Sequence, residues 1–470
     1  MVFSSAVFLF IFLPVVLILH TVIKNNTVRN GLLIVASLIF YAFGEPVYIM
    51  LLIVSVCVNY VFGRVLASNK SKILLTASVA ANVLLLVVYK YAGFLAELVN
   101  ALPFVNIPVP HIVMPIGISF FTFQAISYII DTYRSESDDR PGFFDVLLYI
   151  SLFPQLIAGP IVRYNSIKNE IRKRTVTVDK LSSGLRRFSV GLAKKMLIAN
   201  TVGGAADRIF AMDTASIDTP LAWLGAVCYT LQIYFDFSGY SDMAVGLGKC
   251  FGFDFPENFD HPYISCSIRE FWRRWHMSLT GWFREYIYIP LGGNRKGKAR
   301  QVLNTMIVFI TTGIWHGANM TFILWGLMHG VCLSAETILF SGKKEKKDRH
   351  LPAPIGWLVT MFIVIIGFVI FRSDSVSYAF SYIGRMFAFV TDSASYGIMM
   401  SVLTPVMIFT LAASVVACCP VTAFVQKKTK NTPSWPVWSS LSYILSIALY
   451  IMCVMTLAAN SYNPFIYFRF

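Results

Sequence analysis

Long apolar runs follow one another along most of this chain, and short loops rich in lysine and arginine separate them. About 20 apolar residues in a helix cross the ~30 Å hydrocarbon core of a bilayer. The runs are continuous rather than alternating, which predicts helices and excludes a membrane barrel. Charged residues make up 13% of the chain, against about 25% in an average soluble protein. We therefore predict an all-α, polytopic integral membrane protein.

The formal net charge of +15 is carried largely by the short loops. Lysine and arginine in such loops favour the cytoplasmic side, so membrane lipids are expected as partners and nucleic acid is not. Placing the basic loops inside puts both termini outside the cytoplasm. Residues 7–19 lack a preceding basic region and a small-residue cleavage site, which predicts a retained first span. No zinc-type cysteine spacing occurs, so no metal site is expected, and residues 1–470 are predicted to form one domain.

Three segments depart from simple spans. Residues 146–161 are apolar but are broken by two prolines and a glycine, which predicts a re-entrant element. Residues 163–195 are strongly basic, which predicts an amphipathic helix on the anionic inner leaflet. The arginine-rich residues 268–288 indicate short helices at the cytoplasmic interface.

Three polar residues lie within the hydrophobic segment 221–247: Asp236, Ser238 and Asp242. Carboxylates are too polar to face lipid, so these side chains are predicted to point inward. A structural network and the lining of a passage are both compatible with this pattern.

A histidine inside the apolar segment Gly313-Ile314-Trp315-His316-Gly317 is the strongest sign of function. An ionisable group at bilayer depth costs several kcal/mol unless it faces protein or water, so it is a functional hypothesis by default. Counted from the basic loop at Arg300, His316 lies about 20–24 Å along its helix, past the middle of the core. His329 repeats the Gly-x-x-His-Gly pattern. Glycine pairs also serve close helix packing, so a structural role remains open for His316 and is favoured for His329.

Seven separate segments resemble the membrane-bound O-acyltransferase superfamily, and within it the bacterial branch of alginate and peptidoglycan O-acetyltransferases. They are residues 114–124, 154–163, 236–242, 271–279, 288–294, 315–318 and 465–470. The resemblance covers the chain from about residue 41 to its end. It implies about 10 to 12 transmembrane helices, with re-entrant and interfacial helices, around a central tunnel.

The resemblance also implies an activity. Such an enzyme takes acetyl groups from cytoplasmic acetyl-CoA across the bacterial cytoplasmic (inner) membrane for O-acetylation of an extracytoplasmic polysaccharide such as peptidoglycan or alginate. A partner of the SGNH-hydrolase type is implied, and no tightly bound cofactor is expected, because acetyl-CoA is a substrate. The family's essential histidine falls on His316 and a second functional histidine on His276, whereas the role of His329 is less defined.

This assignment fits the chemistry of acyl transfer. A neutral imidazole can take the proton of an attacking hydroxyl, or it can itself be acylated, and the sequence leaves both routes open. Trp315 and Asn319 are candidate donors to the developing oxyanion. Arg273 and Arg274 are candidates for the phosphates of coenzyme A, although arginines also anchor helices to the inner leaflet.

Two alternatives remain open from the sequence. Within the family, the alternative is D-alanyl transfer to teichoic acid. From another class, it is a secondary transporter or flippase for a glycan or lipid. Transporters often carry inverted repeats with paired broken helices. The only internal repeat in this sequence is the short Gly-x-x-His-Gly pattern at two adjacent sites.

Overall fold

The computed structural model describes residues 1–135, 140–340 and 351–459. Within these ranges the chain forms helices and no strands, which confirms the predicted all-α class. The chain divides into two compact units: residues 1–189 with 240–257, and residues 190–239 with 258–470.

The first unit is built from helices of very unequal length. Their bounds are Phe8–Phe12, Leu13–Val22, Asn26–Gly44, Ile49–Ser68, Lys72–Leu86, Val87–Tyr91, Ala92–Asn100, Ile118–Arg134, Phe143–Ser151, Phe153–Leu156 and Tyr164–Arg172, followed by most of Val178–Ala193. Asn59 and Asn82 join two of these helices through reciprocal amide hydrogen bonds of 3.2 and 2.7 Å. Such bonds stabilise helix pairs where lipid supplies no hydrophobic driving force.

The stretch predicted to be re-entrant is broken where its prolines and glycine indicated. The helix Phe143–Ser151 ends before Leu152, whose ψ of 112° is not helical, and the short helix Phe153–Leu156 follows. Gly117 packs against this break, with a φ of +79°. A Cβ on Gly117 would lie 2.9 Å from the carbonyl oxygen of Leu156, so only glycine allows this close approach.

The second unit contains the segments that carry the histidines. Its helices are Lys194–Ala199, Asn200–Phe210, Thr214–Ser216, most of Thr219–Cys250, Pro262–Ile264, Ile268–Arg274, Met277–Phe283, Arg284–Tyr288, Lys298–His316, Met320–Phe340, Ala353–Arg372, Val376–Met386, Ser393–Val402, Pro405–Cys418, Val421–Thr429 and Trp435–Ala459. We call Lys298–His316 the His316 helix and Met320–Phe340 the His329 helix.

In the part of the chain that the structure describes, six helices are long and apolar enough to cross a membrane, and a seventh span results if the bent pair Ser393–Val402 and Pro405–Cys418 is counted as one. The six are Asn26–Gly44, Ile49–Ser68, Lys72–Asn100, Met320–Phe340, Ala353–Arg372 and Trp435–Ala459. A multi-pass membrane protein is thereby confirmed. The basic loop at residues 341–350 and the predicted outer C-terminus, with the segment 465–470, lie outside the described residues.

The basic stretch 163–195 forms more than the one helix that was predicted. Its helices include Tyr164–Arg172 and Val178–Ala193. Within the first unit, Arg174 is 6% exposed, and its guanidinium donates to Asn30 and to a backbone carbonyl. Within the second unit, Lys195 is 4% exposed. These two cations are therefore buried against partners within their own units rather than exposed as surface anchors.

Candidate functional site

His316 lies in a cage of aromatic rings in the second unit. It is the last residue of its helix and is 6% exposed. Its imidazole meets the rings of Trp315, Trp325 and Phe371 edge-on, with centroid separations of 5.0, 5.1 and 5.0 Å. The ring therefore faces protein, as predicted for an ionisable group in an apolar segment.

Two glycines position this cage by letting the His316 and His329 helices touch backbone to backbone. A Cβ on Gly313 would lie 2.3 Å from the carbonyl oxygen of Phe322. A Cβ on Gly326 would lie 2.3 Å from the carbonyl oxygen of Phe309. The packing role expected of the glycine pairs is thus present, and it coexists with a buried histidine beside each pair.

His329 is 1% exposed and is held from both sides. The indole of Trp325 separates it from His316, at 5.0 Å from the His329 ring. The indole N–H of Trp272 donates to His329 Nδ1 over 3.4 Å. An imidazole that accepts at Nδ1 carries its proton on Nε2. His329 Nε2 lies 3.0 Å from where a Cβ of Gly367 would stand, so this side of the ring packs against a helix.

His276 joins the two short helices Ile268–Arg274 and Met277–Phe283. Its φ of +44° is rare for a residue with a side chain and carries a strain of order 1–3 kcal/mol. The ring is 1% exposed and packs on Phe237 at 4.6 Å and on Trp315 at 6.1 Å. Trp315 therefore contacts both His276 and His316. Burial lowers the pKa of His276 to about 3, so the imidazole is neutral at neutral pH.

The polar residues of the segment 221–247 are buried, as their polarity predicted. Asp236 and Ser238 are 1% and 2% exposed in the second unit. Asp236 pairs with Lys195 at 2.5 Å, and Gly239 permits this pairing because a Cβ there would lie 2.7 Å from the carbonyl oxygen of Gly191.

Asp242 belongs to the first unit and has different surroundings. Its Oδ1 accepts from Nε and Nη2 of Arg187 at 2.9 and 2.8 Å. The same guanidinium also binds Glu257. The three side chains form a charge network that accounts for a carboxylate at this position.

The two arginines next to His276 differ in their surroundings. Arg274 pairs with Asp260 and Glu270, each at 3.0 Å. Arg273 is exposed. A phosphate would compete with two carboxylates for Arg274 but could approach Arg273 from solvent.

Asn319 caps the start of the His329 helix. Its Oδ1 accepts from the amide of Thr321 at 3.0 Å, and its Nδ2 donates to the carbonyl of Asp374 at 2.9 Å. The bond to Asp374 uses one of the two N–H donors of this amide, and the amide oxygen is engaged in the helix cap. Trp315, the other candidate donor, is 5% exposed within the aromatic cage.

A cavity of about 210 Å³ lies elsewhere in the second unit. It is bounded by the start of Ile268–Arg274, the end of the His329 helix and the start of Ala353–Arg372. Its lining is mostly apolar, with Arg269 and Glu336 as charged members, and none of the three histidines contributes to it.

Comparison with known proteins decides the family. The family model described as "MBOAT, membrane-bound O-acyltransferase family" matches residues 31–376, which include all three histidines. The chain belongs to the membrane-bound O-acyltransferase family. It is accordingly an enzyme, an O-acyltransferase.

Curated relatives of this O-acyltransferase extend the comparison to the full chain. A probable alginate O-acetylase of Pseudomonas putida is 39% identical over 100% of both chains. A peptidoglycan O-acetyltransferase of Helicobacter pylori is 35% identical over 81% of this chain and 78% of its own. A teichoic acid D-alanyltransferase of Bacillus subtilis is 31% identical over 57% of this chain and 72% of its own.

The structure of this O-acyltransferase adds residues that the sequence did not single out. Trp325 and Phe371 complete the aromatic cage. Asn258 holds His276, with 3.0 Å between Asn258 Oδ1 and His276 Nδ1. Trp325 lies four residues before His329, one helical turn away, a spacing that predicts a shared face. No comparable signal marks Asn258, which lies in a loop, or Lys195, whose charge resembled an interfacial anchor.

Proposed function

We propose that this O-acyltransferase moves acetyl groups from cytoplasmic acetyl-CoA across the bacterial cytoplasmic membrane for O-acetylation of an extracytoplasmic polysaccharide. An SGNH-hydrolase-type partner would pass the acetyl group to the polymer, and the N-terminus would lie outside the cytoplasm. The names of the Pseudomonas and Helicobacter relatives support acetyl as the acyl group and a polysaccharide as the acceptor. Basic loops between spans support the orientation.

The observation that carries this proposal is that His316 is buried in a cluster of aromatic rings that also contains His276. The His316 helix is continuous from Lys298, which places His316 about 24 Å along it from Arg300. The rings of His276, Trp315 and His316 form a contiguous row, with centroid separations of 6.1 and 5.0 Å. Two histidines linked in this way, one of them at the end of a helix that starts in a basic loop, suit a reaction whose donor and acceptor lie on opposite sides of a membrane.

The proposed reaction needs a base and a polar group that contacts the acetyl carbonyl. The hydroxyl oxygen attacks the thioester carbon, the carbon–sulfur bond breaks, and the thiolate leaves with a proton. We assign direct contact with the transferred acetyl group to His316, as general base or as a transiently acylated nucleophile. Arg273, exposed near His276, is the better placed of the two arginines for a coenzyme A phosphate.

Inside-out membrane vesicles test the proposal. Vesicles containing the wild-type chain should release coenzyme A from labelled acetyl-CoA added outside, and should transfer label to acceptor polysaccharide when the partner is present inside. His316→Ala should abolish both signals. His111→Ala is the matched control, because His111 is exposed and far in sequence from the cage. Equal turnover in wild-type and His316→Ala vesicles would contradict the proposal.

Transfer of a D-alanyl group is the second candidate, supported by the Bacillus relative. The same vesicles distinguish it, because a D-alanyl thioester carrier and acetyl-CoA can be offered separately. Turnover of the D-alanyl donor alone would favour this candidate. Movement of a labelled glycan or lipid without any thioester turnover would favour a transporter.

A further inference from the structure

Asn258 makes three contacts from one side-chain oxygen. Its Oδ1 lies 3.0 Å from His276 Nδ1, 2.9 Å from Ser278 Oγ and 3.3 Å from the Ser278 backbone nitrogen. Asn258 is 1% exposed, so water does not compete for this oxygen. The backbone holds the same geometry, because the amide of Met277 donates to the carbonyl of Asn258 over 2.9 Å.

These contacts settle which atom of the amide faces His276. The backbone N–H of Ser278 can only donate, so the Asn258 atom that it meets is the carbonyl oxygen rather than the NH₂ group. His276 Nδ1 meets that same oxygen and must donate to it. The ring therefore carries its proton on Nδ1 and a lone pair on Nε2.

The other nitrogen of His276 is buried and has no hydrogen-bond partner among the described residues. A buried polar atom without a partner costs about 1–3 kcal/mol and calls for an explanation in terms of function. His329 is the contrasting case, since the bond from Trp272 puts its proton on Nε2. Two histidines of one ring cluster are thus held in opposite tautomers by different neighbours.

We propose that Asn258 is the positioning residue of the acyl-transfer reaction, and that it holds His276 in the tautomer whose Nε2 accepts the proton of the attacking hydroxyl. The inference rests on the proposed function and narrows it: with His276 as the base, His316 contacts the acetyl carbonyl and is not the general base. In the step, the hydroxyl oxygen bonds to the thioester carbon, its proton passes to Nε2, the carbon–sulfur bond breaks, and Nε2 returns the proton to the departing thiolate. No oxidant or further reactant is needed.

The surroundings of His276 favour an uncharged resting ring. The helix Thr219–Cys250 presents Phe237 to it, and the His316 helix presents Trp315. The nearest charged side chain along the chain, Arg274, is engaged by Asp260 and Glu270. Asn258 is neutral, so it directs the proton to Nδ1 without stabilising the imidazolium.

Asn258→Asp and Asn258→Ala separate positioning from a merely structural role. A carboxylate keeps all three acceptor contacts but adds a charge beside the ring, which favours imidazolium. Asn258→Asp should therefore stay active while the acid limb of its pH–rate profile moves up by about one unit or more. Asn258→Ala should lose about 10²-fold or more in kcat with little change in KM, because the tautomer is no longer fixed. Asn304→Ala removes another fully buried amide in the same unit and should change neither the pH–rate profile nor kcat.

Nitrogen NMR of the histidine-labelled wild-type protein gives a readout that needs no acetyl transfer. The ring-nitrogen signals of His276 are those that are missing from the spectrum of His276→Gln. They should show a protonated Nδ1 and an unprotonated Nε2. A proton on Nε2, an active Asn258→Ala enzyme, or an Asn258→Asp enzyme with an unshifted pH profile would each overturn the proposal. A correct tautomer in a protein that turns over no acetyl-CoA would instead contradict the proposed function.

Discussion

Removing one member of the buried Lys195–Asp236 pair should destabilise the protein far more than removing both. The Lys195 and Asp236 side chains are 6% and 2% exposed, and their charged atoms are 2.5 Å apart. Lys195→Met leaves a carboxylate without its cation, and Asp236→Leu leaves an ammonium without its anion. The double variant leaves neither charge buried.

The expected loss of folding stability follows from two opposing contributions, the attraction between the charges and the cost of burying them. At an effective dielectric constant of about 20, unit charges 2.5 Å apart attract by about 7 kcal/mol. Burying the two ions costs several kcal/mol each, so the pair as a whole contributes little net stability. Loss of one partner leaves the other's burial uncompensated, and we expect each single variant to lose about 3–5 kcal/mol. The double variant should lie within about 1 kcal/mol of wild type if the apolar side chains fill the space.

A double-mutant cycle measures this directly. Unfolding of the purified protein in mixed micelles, titrated with a denaturing detergent and followed by tryptophan fluorescence, gives the four stabilities. Lys180→Met is the matched control, because Lys180 and Asp254 pair at 2.8 Å with side-chain exposures of 35% and 55%. This exposed pair should contribute less than about 1 kcal/mol. If the single variants of the buried pair lose as little stability as the control, or if their losses simply add in the double variant, the two charges do not compensate each other's burial.

Three further outcomes follow from the site. Gly313→Ala should prevent stable folding, measured by size-exclusion chromatography, since its Cβ would meet a carbonyl oxygen at 2.3 Å; Gly384→Ala, with nothing within 4 Å, should elute as wild type. Asn319→Ser keeps a helix cap and should retain kcat within about threefold in the vesicle assay, whereas an oxyanion donor would cost about 10²–10³-fold. His329→Asn should keep more than about a tenth of wild-type turnover, because its ring is held for packing; a loss as deep as that of a catalytic base would argue against this.

The fold class was predictable because it depends on composition along the chain rather than on particular contacts. Continuous apolar runs can satisfy their backbone groups in lipid only as helices. Proline and glycine likewise marked the break after Phe143–Ser151, since both residues act locally. The burial of Asp236 was also predictable, because a carboxylate in an apolar run has no acceptable place on the lipid side.

Residues whose role depends on a distant partner were not predictable. Lys195 resembles an interfacial anchor in the sequence, because its partner Asp236 lies 41 positions further along the chain. Asn258 precedes His276 by 18 residues in a loop without periodicity. The roles of Arg273 and Arg274 likewise differ only because Asp260 folds back onto Arg274.

If His316 carries the acyl chemistry, its replacement by alanine should stop the turnover of acetyl-CoA. In vesicles with equal amounts of inserted protein, the account predicts a fall in coenzyme A release of about 10²-fold or more, with His111→Ala unchanged. Release by His316→Ala at the wild-type rate would contradict it.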